Sequence, residues 1–167
     1  MTQEQMLEQI VKQVMSSMGG AVSAPAGSAG TVTAADYPIG DKKPELIKSA
    51  TGKGLKELTI DKLLSGELKA EDLRIRPETL ELQAQVAESV KRGAFALNLR
   101  RAAELIAVPD ARLLEIYNAM RPYKSTKDEL VAIADELKTK YNAPISASLV
   151  AEAADVYYAR KRSKEFI

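Results

Sequence analysis

The chain has 167 residues, enough for one domain with an appendage, and its 24 lysines and arginines nearly balance its 23 aspartates and glutamates. It contains no histidine and no cysteine, which excludes Ser-His-Asp and thiol catalysis, histidine-ligated metals and cysteine-based zinc or iron–sulfur sites. The balanced charge predicts no overall attraction to nucleic acid or to an anionic membrane. No stretch of the sequence approaches the roughly 20 apolar residues of a membrane span.

The first predicted element is an amphipathic helix over residues 2–18. Its apolar side chains recur at spacings of one and three, which places them on one face, away from Glu4, Glu8 and Lys12. A helix this short is marginal in water, so we predict that it becomes stable on a partner; the alternative is that it packs on its own domain. Its acidic and glutamine residues argue against a secretory signal. The apolar face consists of Met6, Leu7, Ile10, Val11, Val14, Met15 and Met18.

Residues 19–35 contain no charged or aromatic side chain and no periodic pattern. Such a segment cannot bury enough apolar surface to offset the entropy of ordering it, so the composition predicts a flexible linker. The chain is therefore predicted to divide into an amphipathic helix at 1–18, a linker at 19–35 and a helical domain at 36–167.

The start of this domain predicts short helices at 45–50 and 60–65 and a further turn at 68–73, because proline and glycine punctuate the sequence there. An isolated short strand at 35–39 or 56–59 is the alternative. The segment 51–54, Thr-Gly-Lys-Gly, has the composition of a phosphate-binding loop but not the GxxxxGK[ST] spacing, and it follows a predicted helix instead of a strand. We interpret it as a helix exit loop.

Residues 74–141 predict four helices in series, cut by Gly93, Pro109 and Pro122, and a last helix follows at 146–162. The fold class is therefore mainly α, an irregular bundle of about five main helices with short helices before it. Side chains three or four positions apart share one helix face, and these faces must be buried. The predicted inward positions, helix by helix, are Leu80, Leu82, Ala84, Val86, Ala87 and Val90; Phe95, Leu99, Ala102 and Ile106; Leu113, Ile116, Tyr117 and Met120; Leu130, Ala134, Leu137 and Tyr141; and Val150, Ala154, Tyr157 and Tyr158.

Candidate catalytic carboxylates lie at predicted helix starts or on exposed helix faces, where their spacing favours capping over acid–base chemistry. Arg100, Arg101 and Arg121 are able to hold anions, but helical arginines more often pair with carboxylates of other elements. The basic run 160–162 complements a helix dipole, and no aromatic interleaving supports the alternative of nucleic-acid binding. These patterns predict a helical subunit or adaptor with no active site of its own. The carboxylates are Glu78, Glu81, Asp110, Glu115, Asp128, Glu129, Glu152 and Asp155.

Four stretches of the sequence closely resemble a known family: RPETLELQAQVAES, NLRRAAELIAVPD, LLEIYNAMRPYKSTKDEL and AEAADVYYARKR. The family is the small (gamma) subunit of adenosylcobalamin-dependent diol dehydratase and of its glycerol dehydratase relative. The resemblance covers about residues 36–162 and is most specific at 101–134. It implies a holoenzyme with two each of a large, a medium and a small subunit. That enzyme dehydrates propane-1,2-diol, glycerol or ethane-1,2-diol to the aldehyde by a radical route.

The resemblance also implies where the cofactor lies. Adenosylcobalamin is bound between the large and medium subunits, and the small subunit packs on the large one without a known catalytic residue. The absence of histidine agrees with this, since the chain has no imidazole to donate to cobalt. We therefore predict no catalytic, cofactor-binding or metal residue in this chain. The candidate contacts to another subunit are Arg101, Tyr117, Arg121 and Tyr123.

Residues 1–35 resemble the N-terminal extension of diol-type small subunits, whereas glycerol-type small subunits are typically shorter at this end. The extension is associated with enzymes housed in bacterial microcompartments. The resemblance therefore implies a cytoplasmic location inside such a compartment, with a shell protein as a partner of the N-terminal helix. The alternatives are a glycerol dehydratase small subunit and a helical adaptor that acts mainly through this helix. Relatives often have Thr where this chain has Arg76, and Arg where it has Lys124. The resemblance therefore does not specify the subunit contacts at these two positions.

Overall fold

Prolines, glycines and capping residues set the helix boundaries in the computed structural model, which describes residues 31–167. Within this range there are seven α-helices and no sheet, so the predicted mainly α fold class is confirmed. Two isolated backbone bridges, Lys48 with Gly54 and Ser49 with Ile75, are the β-type pairings of the described residues. The helices are α1 (Ile39–Lys42), α2 (Ile60–Leu64), α3 (Pro77–Ser89), α4 (Gly93–Leu105), α5 (Asp110–Ala119), α6 (Lys127–Lys140) and α7 (Pro144–Ala159).

The five long helices start close to the predicted positions. Pro77 and Pro144 each occupy the first helical turn, where the missing N–H of proline leaves no hydrogen bond unmade. Pro144 therefore begins α7 two residues before the predicted start, and α7 ends at Ala159 before the predicted end at 162. The sequence allows two capping pairs at the start of α6, Ser125 with Asp128 or Thr126 with Glu129, and the structure forms the second. Glu129 N–H donates to Thr126 Oγ1 at 3.1 Å, and Thr126 N–H donates to Glu129 Oε2 at 2.8 Å.

The largest hydrophobic core lies between α6 and α7. Leu130 and Leu137 are almost completely buried, as their helical spacing predicts. Helix α5 adds Ile116 to this core, and the hydroxyl of Tyr157 donates a hydrogen bond to the carbonyl of Met120 at 2.8 Å. The buried members are Val108, Ile116, Leu130, Ile133, Ala134, Leu137, Ala143, Ala147, Val150 and Ala154.

Helices α3 and α4 form a second hairpin, and its core is built from small side chains. Ala84, Ala87 and Ala96 are buried together, with Leu99 packed against them. Their small size lets the two helix backbones approach closely. The predicted inward face of α4 is therefore largely wrong: Phe95 is 55% exposed and Ile106 is 40% exposed. Ala102 is exposed as well.

Three further side chains that we predicted to face inward are exposed. Val90 lies at the C-cap of α3, where the helix has already ended, and it is 47% exposed. Tyr117 is 68% exposed, because its neighbour Ile116 takes the inward position on α5. Tyr158 is 49% exposed and packs instead against the ring of Phe166, with ring centroids 5.4 Å apart.

The segment before α3 differs most from the prediction. The helix predicted at 45–50 is wrong: only the 3-10 turn Pro44–Leu46 forms. Beyond it, the backbone N–H of Ser49 donates to Lys53 O at 2.8 Å, and that of Ala50 donates to Arg74 O at 2.9 Å. These bonds to other segments replace the bonds that a helix would make. The helix predicted at 60–65 is confirmed as α2, and a 3-10 turn forms within the predicted turn at 68–73, at Ala70–Leu73.

The folded part of the chain begins earlier than the predicted domain boundary. Val32 is 1% exposed and packs in a cluster with Ile39 and Leu82. A 3-10 turn at Ala34–Asp36 follows, capped by the side chain of Thr33. Val32 and the turn that follows it therefore pack on the helical domain, while the division of the chain into helix, linker and domain stays a prediction. The helix predicted at 2–18 and the rest of the linker lie outside the described residues.

Candidate subunit interface

Charged side chains between α3 and α4 neutralise one another. Arg100 Nε lies 2.9 Å from Glu81 Oε2, and Arg100 Nη1 lies 2.5 Å from Glu88 Oε1. The hydrogen bond from Arg100 holds the pKa of the Glu88 carboxyl below its ordinary value and raises that of the arginine. One guanidinium thus binds two carboxylates and fastens the hairpin, which is the structural role predicted for helical arginines.

A matching pair joins α5 to α6. Arg112 donates to Glu136 on α6 and to Glu115 on its own helix, with nitrogen–oxygen distances of 2.5 and 2.6 Å. The bonds from Arg112 lower the pKa of the Glu136 carboxyl. Arg112 and Glu136 line an open groove of about 560 Å³, which Lys124 and the capping residue Glu129 also line. Glu136 is paired with Arg112, and Glu129 accepts the N–H of Thr126, so both acids of the groove have partners within the chain, which suits structure better than proton transfer.

The loop at 51–54 is also held by internal bonds. The carboxylate of Asp72 accepts hydrogen bonds from Thr51 Oγ1 at 2.7 Å and from the backbone of Lys69 at 2.8 Å. Lys53 Nζ lies 3.0 Å from the same carboxylate. These contacts, the backbone bond first, lower the pKa of Asp72 to about 2. Since Lys53 and Thr51 bind a carboxylate of their own chain, the loop is a structural turn and not a phosphate site.

Several large apolar side chains are exposed on the described surface, on α2 and α5 among other elements. Helix α2 exposes Ile60, Leu63 and Leu64 and buries no residue. Positions 60, 63 and 64 are three and four residues apart, so the sequence itself places these apolar side chains on one helix face. Leu114 on α5 is 63% exposed beside Tyr117. Scattered exposed apolar residues are ordinary, whereas clusters of them on one element mark interaction sites.

The four candidate contact residues lie in three places. Tyr117 and Arg121 lie near the end of α5, and both are exposed. Tyr123 follows them and pairs with Arg162, whose Nη1 donates to the tyrosine hydroxyl at 2.7 Å. Arg101 lies on α4, half-buried, with its guanidinium against the side chain of Asn98. Tyr117 therefore lies on α5, Arg121 and Tyr123 lie in the segment that follows it, and Arg101 lies apart on α4.

Residues 31–167 contain neither a metal-binding cluster nor a membrane-spanning helix. No group of three or more acidic side chains is placed to hold a metal ion. No helix in this range has both the length and the apolar character needed to cross a membrane.

Comparison with known proteins identifies the family. The model of the dehydratase small-subunit family matches residues 32–164. The chain is 49% identical to the propanediol dehydratase small subunit of Citrobacter freundii, over 95% of each chain. It is 48% identical to the propanediol dehydratase small subunit of Salmonella typhimurium, over 96% of this chain and 95% of that one. The chain belongs to the dehydratase small-subunit family.

Proposed function

We propose that this chain is the small, non-catalytic subunit of a coenzyme-B12-dependent diol dehydratase. The enzyme converts propane-1,2-diol, and also glycerol and ethane-1,2-diol, to the corresponding aldehyde and water. The observation that carries the proposal is the 49% identity to a propanediol dehydratase small subunit over nearly the whole of both chains. The hydro-lyase activity belongs to the complex, and this chain alone turns over no substrate.

The residues of the chain support a structural role. Without histidine or cysteine, the candidates for acid–base work include the carboxylates, and three of these, Glu81, Glu88 and Glu136, are ion-paired to arginines. The chain also offers cobalt no imidazole. Its donor set therefore does not fit adenosylcobalamin, and we assign the cofactor to the other subunits of the holoenzyme.

The proposed partners are the large and medium dehydratase subunits, in a dimer of heterotrimers. The exposed apolar side chains of α2, α4 and α5 support an assembly of this kind, because burying such surface drives association. Tyr117, Arg121 and Tyr123 remain candidate contacts at the end of α5, and Arg101 remains one on α4.

For the N-terminal segment we propose a role in encapsulation within a bacterial microcompartment. Its support is the apolar face that the sequence predicts for Met6, Ile10 and Val14. The alignments to the two relatives cover more of this chain than residues 32–167 alone contain, so they include part of this segment. A segment shared with propanediol dehydratase small subunits favours the diol type over the shorter glycerol type.

The experiment is reconstitution from separately purified subunits. The chain alone should show no aldehyde formation from propane-1,2-diol with adenosylcobalamin, and the three subunits together should show turnover that requires the coenzyme. Deletion of residues 1–30, which spares the buried Val32, should keep this activity and abolish encapsulation. An adaptor that acted only through its N-terminal helix would instead lose all function in the deletion variant.

A further inference from the structure

The last residues of the chain fold back onto the loop between α5 and α6. The backbone N–H of Tyr123 donates to Arg162 O at 2.7 Å, and that of Lys164 donates to Ser125 O at 2.9 Å. We infer that residues 162–167 are a C-terminal latch: a segment that closes on this loop, holds it in one conformation and opens without unfolding of the helices. The inference goes beyond the proposed function and does not depend on it.

A carboxylate of the latch also closes the start of α6. Glu165 Oε1 accepts the backbone N–H of Lys127, the first residue of α6, at 3.0 Å. This N–H is one of the donors that a helix leaves without a partner in its first turn, and the helix dipole favours a negative charge there. The side chain of Thr126 serves the N–H of Glu129, so the latch adds a second cap, 38 positions away along the chain.

Side chains fasten the latch near both of its ends. At its start, Arg162 Nη1 donates to the hydroxyl of Tyr123 at 2.7 Å, and the guanidinium carbon lies 5.5 Å from the centre of the tyrosine ring. Towards its end, the ring of Phe166 packs against Tyr158 of α7, with ring centroids 5.4 Å apart. Between them Ser163 is completely buried. These contacts distinguish the latch from the loosely held ends that most chains have.

The loop that the latch holds has an unfavourable backbone conformation. Tyr123 has a φ of +65°, in the left-handed region that residues other than glycine adopt rarely. Such a conformation persists where surrounding contacts enforce it, and here Arg162 binds both the backbone and the side chain of Tyr123. Arg121 and Lys124 are exposed on the same loop. The closed latch therefore sets the positions of these two cations and of Tyr123.

The latch lies outside the main hydrophobic core. The buried residues of the core that α6 and α7 share end at Ala154 and include no residue of the latch. Lys164, Glu165 and Phe166 are exposed. Segments with few buried apolar contacts and solvent-exposed hydrogen bonds open locally, at a lower free energy than global unfolding. The latch is therefore able to open while α6 and α7 stay folded.

Hydrogen exchange of individual amides in the full chain, followed by NMR, tests the latch. Lys164→Pro removes the N–H that bonds to Ser125. Proline suits this position, because Ser163 is extended, with φ −83° and ψ 161°, and Lys164 begins a 3-10 turn. We expect the amides of Tyr123 and Lys127 to exchange about tenfold faster in this variant, the effect of a lost hydrogen bond on the closed state. The matched control Lys164→Ala keeps the N–H and should exchange at the wild-type rate.

A second variant opens the latch through its side chains alone. Glu165→Ala with Phe166→Ala removes the added cap of α6 and the contact with Tyr158, and both residues are exposed, so no core is disturbed. The amide of Lys127 should again exchange faster. The control is Ile167→Ala, at a terminal side chain that is 86% exposed, and it should leave the exchange rates unchanged.

Amides in the middle of α6, such as that of Ala134, show whether the opening is local. They should exchange at the wild-type rate in every variant, and circular dichroism should show unchanged helix content. Wild-type exchange at Tyr123 and Lys127 in both opening variants would overturn the inference, since the C-terminal segment would then hold nothing. Equal acceleration at Ala134 would also overturn it, because the segment would then unfold together with the helices and not as a latch.

Discussion

Glu104 Oε2, near the end of α4, lies 2.8 Å from the backbone nitrogen of Ser146 in the first turn of α7. Its other carboxylate oxygen accepts from the backbone of Ile145 at 3.0 Å. Helix α7 begins with Pro144 and has no side-chain cap from the residue before it, Ala143. The carboxylate of a different helix therefore supplies the missing cap, and this joins the α3–α4 hairpin to the α6–α7 hairpin.

Replacement of Glu104 tests this cap. We expect Glu104→Ala to lower the free energy of unfolding by about 1–2 kcal/mol, because two N–H groups lose their acceptor. Glu104→Gln keeps one acceptor oxygen and should cost less. Urea denaturation measures both, with Glu152→Ala, an exposed acid on α7, as the control. Equal midpoints for wild type and Glu104→Ala would show that the contact stabilises nothing.

The sequence predicted those features that depend on neighbours along the chain. One of the two capping pairs allowed at the start of α6, Thr126 with Glu129, and the buried face of Leu130, Ala134 and Leu137 follow from local spacing, and both are present in the structure. The contact of Glu104 with Ser146 spans 42 positions, and nothing local signals it. Such contacts depend on how the hairpins pack, which a single sequence does not specify.

The wrong face of α4 has a similar cause. The stretch around Ala96 is apolar at nearly every position, so its periodicity permits more than one inward face. The prediction placed the large side chain of Phe95 inward. In the structure α3 and α4 pack through small side chains instead: Ala84, Ala87 and Ala96. The excess of large apolar side chains remains outside, where a partner subunit is expected to cover it.

Leu130 and Leu114 form a matched pair that tests the assignment of core and surface. Leu130 is fully buried, and Leu130→Ala should lower the free energy of unfolding by about 2–5 kcal/mol through lost burial and a cavity. Leu114 is 63% exposed, and Leu114→Ala should change the free energy of unfolding by less than about 0.5 kcal/mol. Thermal or urea denaturation of the isolated chain measures both. Similar losses for the two variants would contradict the described core.

Asp72 gives the stability of the chain a defined pH dependence. Its pKa is lowered from 3.8 to about 2 in the folded state, so its contribution is fully present above the ordinary pKa. That contribution is lost as the pH falls through the lower value. Wild type should therefore have a higher Tm than Asp72→Asn near neutral pH, and the difference should shrink towards pH 2. The control is Asp135→Asn, which alters an exposed acid on α6. A Tm difference between wild type and Asp72→Asn that persists near pH 2 would contradict this role of Asp72.

Charge on the predicted N-terminal apolar face tests the proposed encapsulation. Ile10→Glu with Val14→Glu should leave assembly with the larger subunits intact and abolish encapsulation, because charged side chains oppose burial of this face. The control Lys12→Glu changes charge on the polar face and should be encapsulated normally. Co-sedimentation of dehydratase activity with purified compartments measures the outcome. Normal encapsulation of the double variant would count against docking through this face.

The central claim is that this chain supports a catalytic neighbour and supplies no chemistry itself. The most direct measurement is the rate of coenzyme-dependent aldehyde formation from propane-1,2-diol, and its half-life at a fixed temperature, for the large and medium subunits with and without this chain. We predict that adding the chain raises the activity or the half-life of the pair several-fold, while the chain alone is inactive. Equal activity and half-life of the pair without the chain, or turnover by the chain alone, would contradict this account.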